Sequence, residues 1–260
     1  MRVLMEKDLK QVWRSFRLPA YYLVLLFLAV SDPLTAKYMG KILERFAQGI
    51  TIILPTTSPS QAMAQFLGDL VELGLVVVIA ITMGSVAGER SSGVLGFLLT
   101  KPVTRKRYIL SKYSILVAGV VAGVVLSSAL AQSYIRTLIG PAPVAGAWLA
   151  TASVAVYTVY ILSATFSASM MTESSLAAGG TGLLVLFATG VTGTLLQSSW
   201  LGPYLPTALV RNISSYLEQS SGALSSTQVA SFIRPAISSV LLSLLFLSLG
   251  YLRFRKVELP

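Results

Sequence analysis

The sequence predicts an all-α polytopic membrane protein with six transmembrane helices. It adds an N-terminal interfacial amphipathic helix, a short cytoplasmic helix and external amphipathic helices. Three observations carry this. Several runs of about 20 residues are nearly free of charge, long enough to cross a hydrocarbon core as helices. The runs are continuous, whereas barrel strands alternate apolar and polar positions, and in lipid only helices and closed barrels satisfy their own backbone. Only 12% of the 260 residues are charged and 54% are hydrophobic, with mean hydropathy +0.75; soluble proteins carry about 25% charged residues. The whole chain, 1–260, reads as one transmembrane domain.

Residues 1–17 form the interfacial helix. Leu9, Val12, Trp13 and Phe16 share a helical spacing, with Glu6, Lys7, Lys10, Arg14 and Arg17 around them; such a helix sinks Trp and Phe into the headgroup boundary. Mixed charges ahead of the first apolar core do not read as a signal peptide. The first span covers about Pro19–Val30, and Ser31, Asp32 and Pro33 break or kink it. An external segment, 32–66, follows. It contains a second amphipathic helix, with Leu34, Tyr38, Ile42 and Phe46 every four residues, closed by Gly49.

Ser58 starts the next helix as N-cap, with Pro59 at the first position and Gln61 completing a capping box. That helix reaches about Gly88. At 1.5 Å per residue it is roughly 45 Å long and projects beyond the bilayer at its N-terminal end. The third span is about Tyr108–Ala131, with Thr104 as its cap, and ends near Arg136. "GPAP" at 140–143 makes a turn. The fourth span is Gly146–Met170, "MTESS" turns the chain, and the fifth is Leu176–Leu196. In the second external segment, 199–234, Leu205, Leu209, Ile213 and Leu217 mark another amphipathic helix. The last span, Ala236–Leu252, ends in the basic "RFRK".

Six spans put both termini on one side. That side and the 89–112 region hold 14 of the 20 Lys and Arg residues. The other side holds Lys37, Lys41, Arg45, Arg136, Arg211 and Arg234. The positive-inside rule therefore places the termini in the cytoplasm of a cell-membrane protein. The net charge of +10 lies beside the spans, as topology and lipid headgroups require, and implies no nucleic acid partner. With no cysteine and no histidine, a disulfide and a Cys/His metal site are excluded. No catalytic, cofactor-binding or metal-binding residues are assigned. "MGK" at Met39–Lys41 lacks the glycine-rich lead of a phosphate-binding loop.

Asp69 and Glu72, toward the outer end of the second span, read either as an outer polar site for an ion or as interface residues on an over-long helix. Gly84/Gly88 and Gly119/Gly123 have the spacing that lets helices pack closely. "NIS" at Asn212 matches a glycosylation acceptor, a tripeptide that chance also produces.

One stretch stands apart: "GERSSGVLGFLLTKPVTRKR", Gly88–Arg107. Six of its residues are charged, five of them basic, around the apolar cluster Val94, Leu95, Phe97, Leu98 and Leu99. Ser92–Thr100 reads as a short helix ended by Pro102. Two readings stand from the residues alone, a loop whose charges fix topology and an apolar knob that docks in a partner's groove.

This stretch, with "YILSKY" after it, resembles the cytoplasmic loop of type-2 ABC-transporter permeases. The matching residues are Glu89, Arg90, Gly93, Leu98, Leu99, Pro102, Arg105 and Lys112; Val94 stands where the family usually has Thr. The amphipathic start, "SDP" and the basic ending also fit. The resemblance implies an exporter permease that pairs with a second permease, a homodimer with membrane lipid around it. Each copy would contact a separate ABC ATPase subunit, which alone would bind ATP and Mg and hydrolyse ATP. The coupling segment, 89–105, would dock through Glu89, Arg90, Gly93, Val94, Leu95, Leu98, Leu99, Pro102 and Arg105, with the 1–17 helix beside it. The alternatives are a stand-alone ion-coupled transporter or channel using Asp69 and Glu72, and a membrane scaffold subunit. The spans offer no charged pocket, which favours lipidic, amphipathic or peptide cargo. The external segments could form a lid over an exit path.

Overall fold

The structure, a computed structural model, describes residues 12, 14–46, 57–95, 104–141, 143–218 and 224–256, with the side chains of 40–46 left aside. Its elements are α1 (Arg17–Phe46), α2 (Pro59–Asp69), a π-turn (Leu70–Gly74), α3 (Leu75–Met83), α4 (Ala87–Ser91), α5 (Arg105–Leu138) and α6 (Val144–Met171). Then come α7 (Ser175–Leu195), a 3-10 turn (Gly202–Tyr204), α8 (Ala208–Arg211), α9 (Ile213–Leu217) and α10 (Ser226–Arg255). Among the described residues all regular structure is helical. Six stretches are long and apolar enough to cross a membrane: one in α1, the run from α2 through α4, and one each in α5, α6, α7 and α10. The start of α5 meets the end of α10, where Tyr108 stacks on Phe254. We call that end of the bundle proximal and the other distal.

Two packing devices hold the spans. The first is the close approach of α1 to α5. A Cβ on Gly119 would stand 2.9 Å from Leu18, and one on Gly123 2.5 Å from Tyr21. The Tyr21 and Tyr22 hydroxyls donate to the carbonyls of Val120 and Gly119. The Gly119/Gly123 spacing thus serves contact within the chain. The second device is α6, which packs against α3, α5, α7 and α10. From Tyr160 to Met170 every one of its residues is buried. It tolerates a polar composition because Thr151, Thr158 and Thr165 donate to carbonyls one turn back.

Several boundaries differ from the sequence reading. Ser31–Pro33 does not end the first span; α1 runs through Pro33 to Phe46. On either side of the proline the Ser31 and Thr35 hydroxyls donate to the Leu28 and Asp32 carbonyls. The amphipathic helix expected after Leu34 is therefore the continuation of the span. The Ser58/Gln61 capping box with Pro59 is present as expected, and so is the Thr104 cap. The second span, however, is interrupted twice, by the π-turn and again at Gly84–Val86.

The single helix expected over Leu205–Leu217 is two short ones, α8 and α9, broken at Asn212. Its apolar stripe nevertheless faces inward, with Leu209, Ile213 and Leu217 buried. The break lets the segment turn over the top of α6, where the Tyr216 carbonyl lies against Gly146 in space a side chain would fill. The last span starts ten residues early: a Ser225/Gln228 capping box opens α10, and Pro235 is inside it.

Gly123→Ala should destabilise the protein by about 1–3 kcal/mol through overpacking against Tyr21. Gly180→Ala, where no atom lies within 4 Å of an added Cβ, should cost nothing. Thermal unfolding in detergent separates the two.

Candidate functional site

The resemblance-bearing stretch leaves the second span at the Gly84–Val86 break, and the break is pinned from four sides. Leaving the helix frees backbone amides, which are costly without partners. The Val86 and Ala87 amides both donate to Ser169 Oγ of α6, at 3.1 and 3.0 Å. Ser85 turns back on Thr82, its hydroxyl 2.7 Å from that carbonyl. From α5, Lys112 Nζ donates to the Ser85 carbonyl at 3.0 Å. A Cβ on Gly84 would lie 3.3 Å from both Arg17 Nη2 and Ser175 Oγ, so α1 and α7 close the remaining sides.

One turn on, Glu89 of α4 is buried. Its Oε1 pairs with Lys112 Nζ at 2.5 Å, and its Oε2 accepts from the Tyr108 hydroxyl at 2.6 Å. Glu89 and Lys112 are 7% and 8% exposed at their side chains. Both carboxylate oxygens and the ammonium therefore have partners, as a buried pair requires. Such a pair gives registry between α4 and α5 more than it gives stability. Arg90 reaches the turn between α6 and α7, 2.7 Å from the exposed Glu173, a contact of small energetic weight. Arg105 donates to the Phe254 and Arg255 carbonyls, both at 3.0 Å, and so caps the end of α10 with a cation, as a helix C-terminus favours.

The sequence-assigned coupling residues thus divide. Glu89 is buried in a pair within this chain, and half-buried Arg90 and Arg105 also contact groups of this chain. Gly93 takes φ +72° and closes α4, so the segment turns there rather than running as one helix from Ser92. Leu95 is buried in the core while Val94 is 43% exposed. Leu98, Leu99 and Pro102 lie outside the described residues. So do Leu9 and Trp13 of the interfacial helix. Val12, half-buried, packs against the protein core and lines a cavity of about 20 Å³ with Arg17, Ser85 and Lys112. Phe16 sits in the left-handed region at φ 58° and is 75% exposed, where the chain turns into α1. Asp69 ends α2 and Glu72 lies in the π-turn, exposed. Among the described residues no cluster of three or more acids could hold a metal ion.

Tyr108, Ser169 and Glu173 were not legible as members of this cluster. Lys112 was, since the resemblance marks both it and Glu89, and the two touch.

The profile of the family described as "Protein of unknown function (DUF2705)" matches residues 36–259. The chain belongs to this family. It is also 28% identical over 186 residues, 70% of this chain and 72% of the relative, to a Bacillus subtilis (strain 168) protein named "Uncharacterized transmembrane protein YxlG". With six helices among its described residues long and apolar enough to cross a membrane, the DUF2705 chain is a multi-pass membrane protein.

Lys112→Met, which strands the Glu89 carboxylate, should cost about 3–5 kcal/mol. Adding Glu89→Gln should recover part of the loss. A double-mutant cycle on detergent-solubilised protein measures the coupling.

Proposed function

We propose that this chain is the permease subunit of an ATP-driven ABC exporter, working as a dimer in the cell membrane with both termini cytoplasmic. The observation that supports this reading is the pinned break. The segment resembling the coupling loop begins beside a Glu89–Lys112 pair joined to α5 and beside amides joined to α6. A push on 94–103 would therefore reach the second, third and fourth spans together. The carriers of the resemblance, Glu89 and Lys112, would transmit force, while Leu98, Leu99 and exposed Val94 would contact the partner. ATP and Mg would sit on that partner, and this chain would not hydrolyse ATP.

The cargo reading follows the surfaces. A groove of about 440 Å³ opens laterally between α5, α6 and α10, lined by Val121, Val125, Val156, Val240 and Leu244. A second cavity of about 330 Å³ lies under the distal cap, with Tyr157, Gln197, Thr207 and Arg211 on its walls. An apolar lateral groove and a distal cavity with a few polar groups would suit an amphipathic cargo that enters from lipid, and α8, which lines that cavity, would act as its lid.

Co-expression with the ABC ATPase encoded nearest to it should yield a stable complex, and Leu98→Asp should abolish both assembly and cargo-stimulated ATPase activity. Transport by the purified chain in liposomes without ATP, or an unaltered complex with Leu98→Asp, would sink the reading.

A further inference from the structure

The sequence singled out Asp69 and Glu72, and the function proposed above uses neither. The structure adds a third carboxylate. Asp32, in the distal half of α1, is 6% exposed, and its Oδ2 is buried with no hydrogen-bond partner. Its other oxygen accepts only a 3.2 Å bond from the neighbouring Ser31 hydroxyl. A buried carboxylate within a membrane span is costly unless something neutralises it.

Two relations fix its surroundings. Leu25 lies 3.4 Å from the Cβ position of Gly74, and α1 runs antiparallel to α2 and α3. Two turns further along α1, Asp32 therefore stands level with the end of α2, where Asp69 lies. On α5, the hydroxyls of Tyr21 and Tyr22 meet carbonyls 99 and 97 positions on. In that parallel register, Ser128 and Gln132 lie within about a turn of the level of Asp32. Ser128 Oγ and Gln132 Nε2 are also buried and unpartnered. Two elements, α1 and α5, thus present buried unsatisfied polar groups at one depth, and half-buried Asp69 of α2 stands at the same level. The π-turn begins directly after Asp69, and such turns are frequent at functional sites.

We propose that Asp32 and Asp69 form the anionic part of a site for one monovalent cation, an alkali ion or a proton, between α1, α2 and α5. A single positive charge matches the setting. Two carboxylates sharing an apolar site do not both stay ionised without a cation. The third, Glu72, is exposed, and among the described residues no three-acid cluster is present to satisfy a divalent ion.

No described base competes for the position. Lys37, on α1, lies over the Tyr38 ring and is exposed. Arg136 on α5 and Glu218 after α9 are exposed, and Tyr134 is half-buried. Asp32, Asp69 and Glu72 are in no ion pair among the described residues. The site stands independently of the ABC reading, because neither its geometry nor its test involves a partner.

The test is thermal unfolding of the full chain in detergent. One series titrates NaCl or KCl against choline chloride at alkaline pH; the other varies pH in choline chloride alone. An alkali-ion site raises Tm by several degrees with NaCl or KCl and not with choline, by mass action. A proton site shows no alkali effect, and Tm falls as pH rises and the shared proton is lost. In either case Asp32→Asn should flatten the response. A response unchanged in Asp32→Asn, or no response to either titration in the wild type, overturns the proposal. If Asp32→Asn does not fold, Asp69→Asn carries the same comparison from the more accessible half of the site.

Discussion

A backbone that leaves its helix inside a packed bundle must find new partners, and at the Gly84–Val86 break, where Val86 and Ala87 are buried, one side chain takes both freed amides. Ser169 Oγ takes two amides at once, and a third connection, from Lys112, holds the Ser85 carbonyl. Everything near the proximal end follows from where those groups come from. Ser169 fixes α6 against the break, Lys112 fixes α5, and the Glu89 carboxylate locks the short α4 to both Lys112 and Tyr108. With only one of these partners the break would be a hinge. With all of them it is a junction at which several spans share one position.

Most of the architecture was legible because lipid removes choices. Long uncharged runs have only helices available to them, and the Ser58, Gln61 and Thr104 caps declare themselves locally. The failures share a cause. Pro33 was read as a break, yet it and Pro235 both lie inside helices; the Ser231 carbonyl that Pro235 leaves without its helix partner accepts from the Asn212 side-chain amide. Conversely, Asn212 interrupts a stripe whose spacing was uninterrupted, since the chain there must cross the end of α6. In both cases the deciding contact is not in the local pattern.

The polar site shows the same division. Glu89 and Lys112 could be picked out, but their burial and their pairing with each other could not. Asp32 was seen only as part of a break. Its meaning changed once α1 proved continuous, because the carboxylate then lies inside a span, facing elements more than thirty residues away. Ser169 carried no signal at all: one serine among many on α6, distinguished only by the amides opposite it.

The self-bonded hydroxyls of α6 bear on biogenesis. During synthesis this helix must enter the bilayer before α7 and α10 exist to cover it, and it is the most enclosed of the spans. Thr151, Thr158 and Thr165 need no neighbour, because each already bonds a carbonyl of its own helix. So α6 is admissible to lipid as a lone segment, and later becomes the post around which the other spans assemble. The Glu89–Lys112 pair is of the opposite kind, complete only when two spans are present. Insertion and assembly thereby draw on separate sets of polar residues.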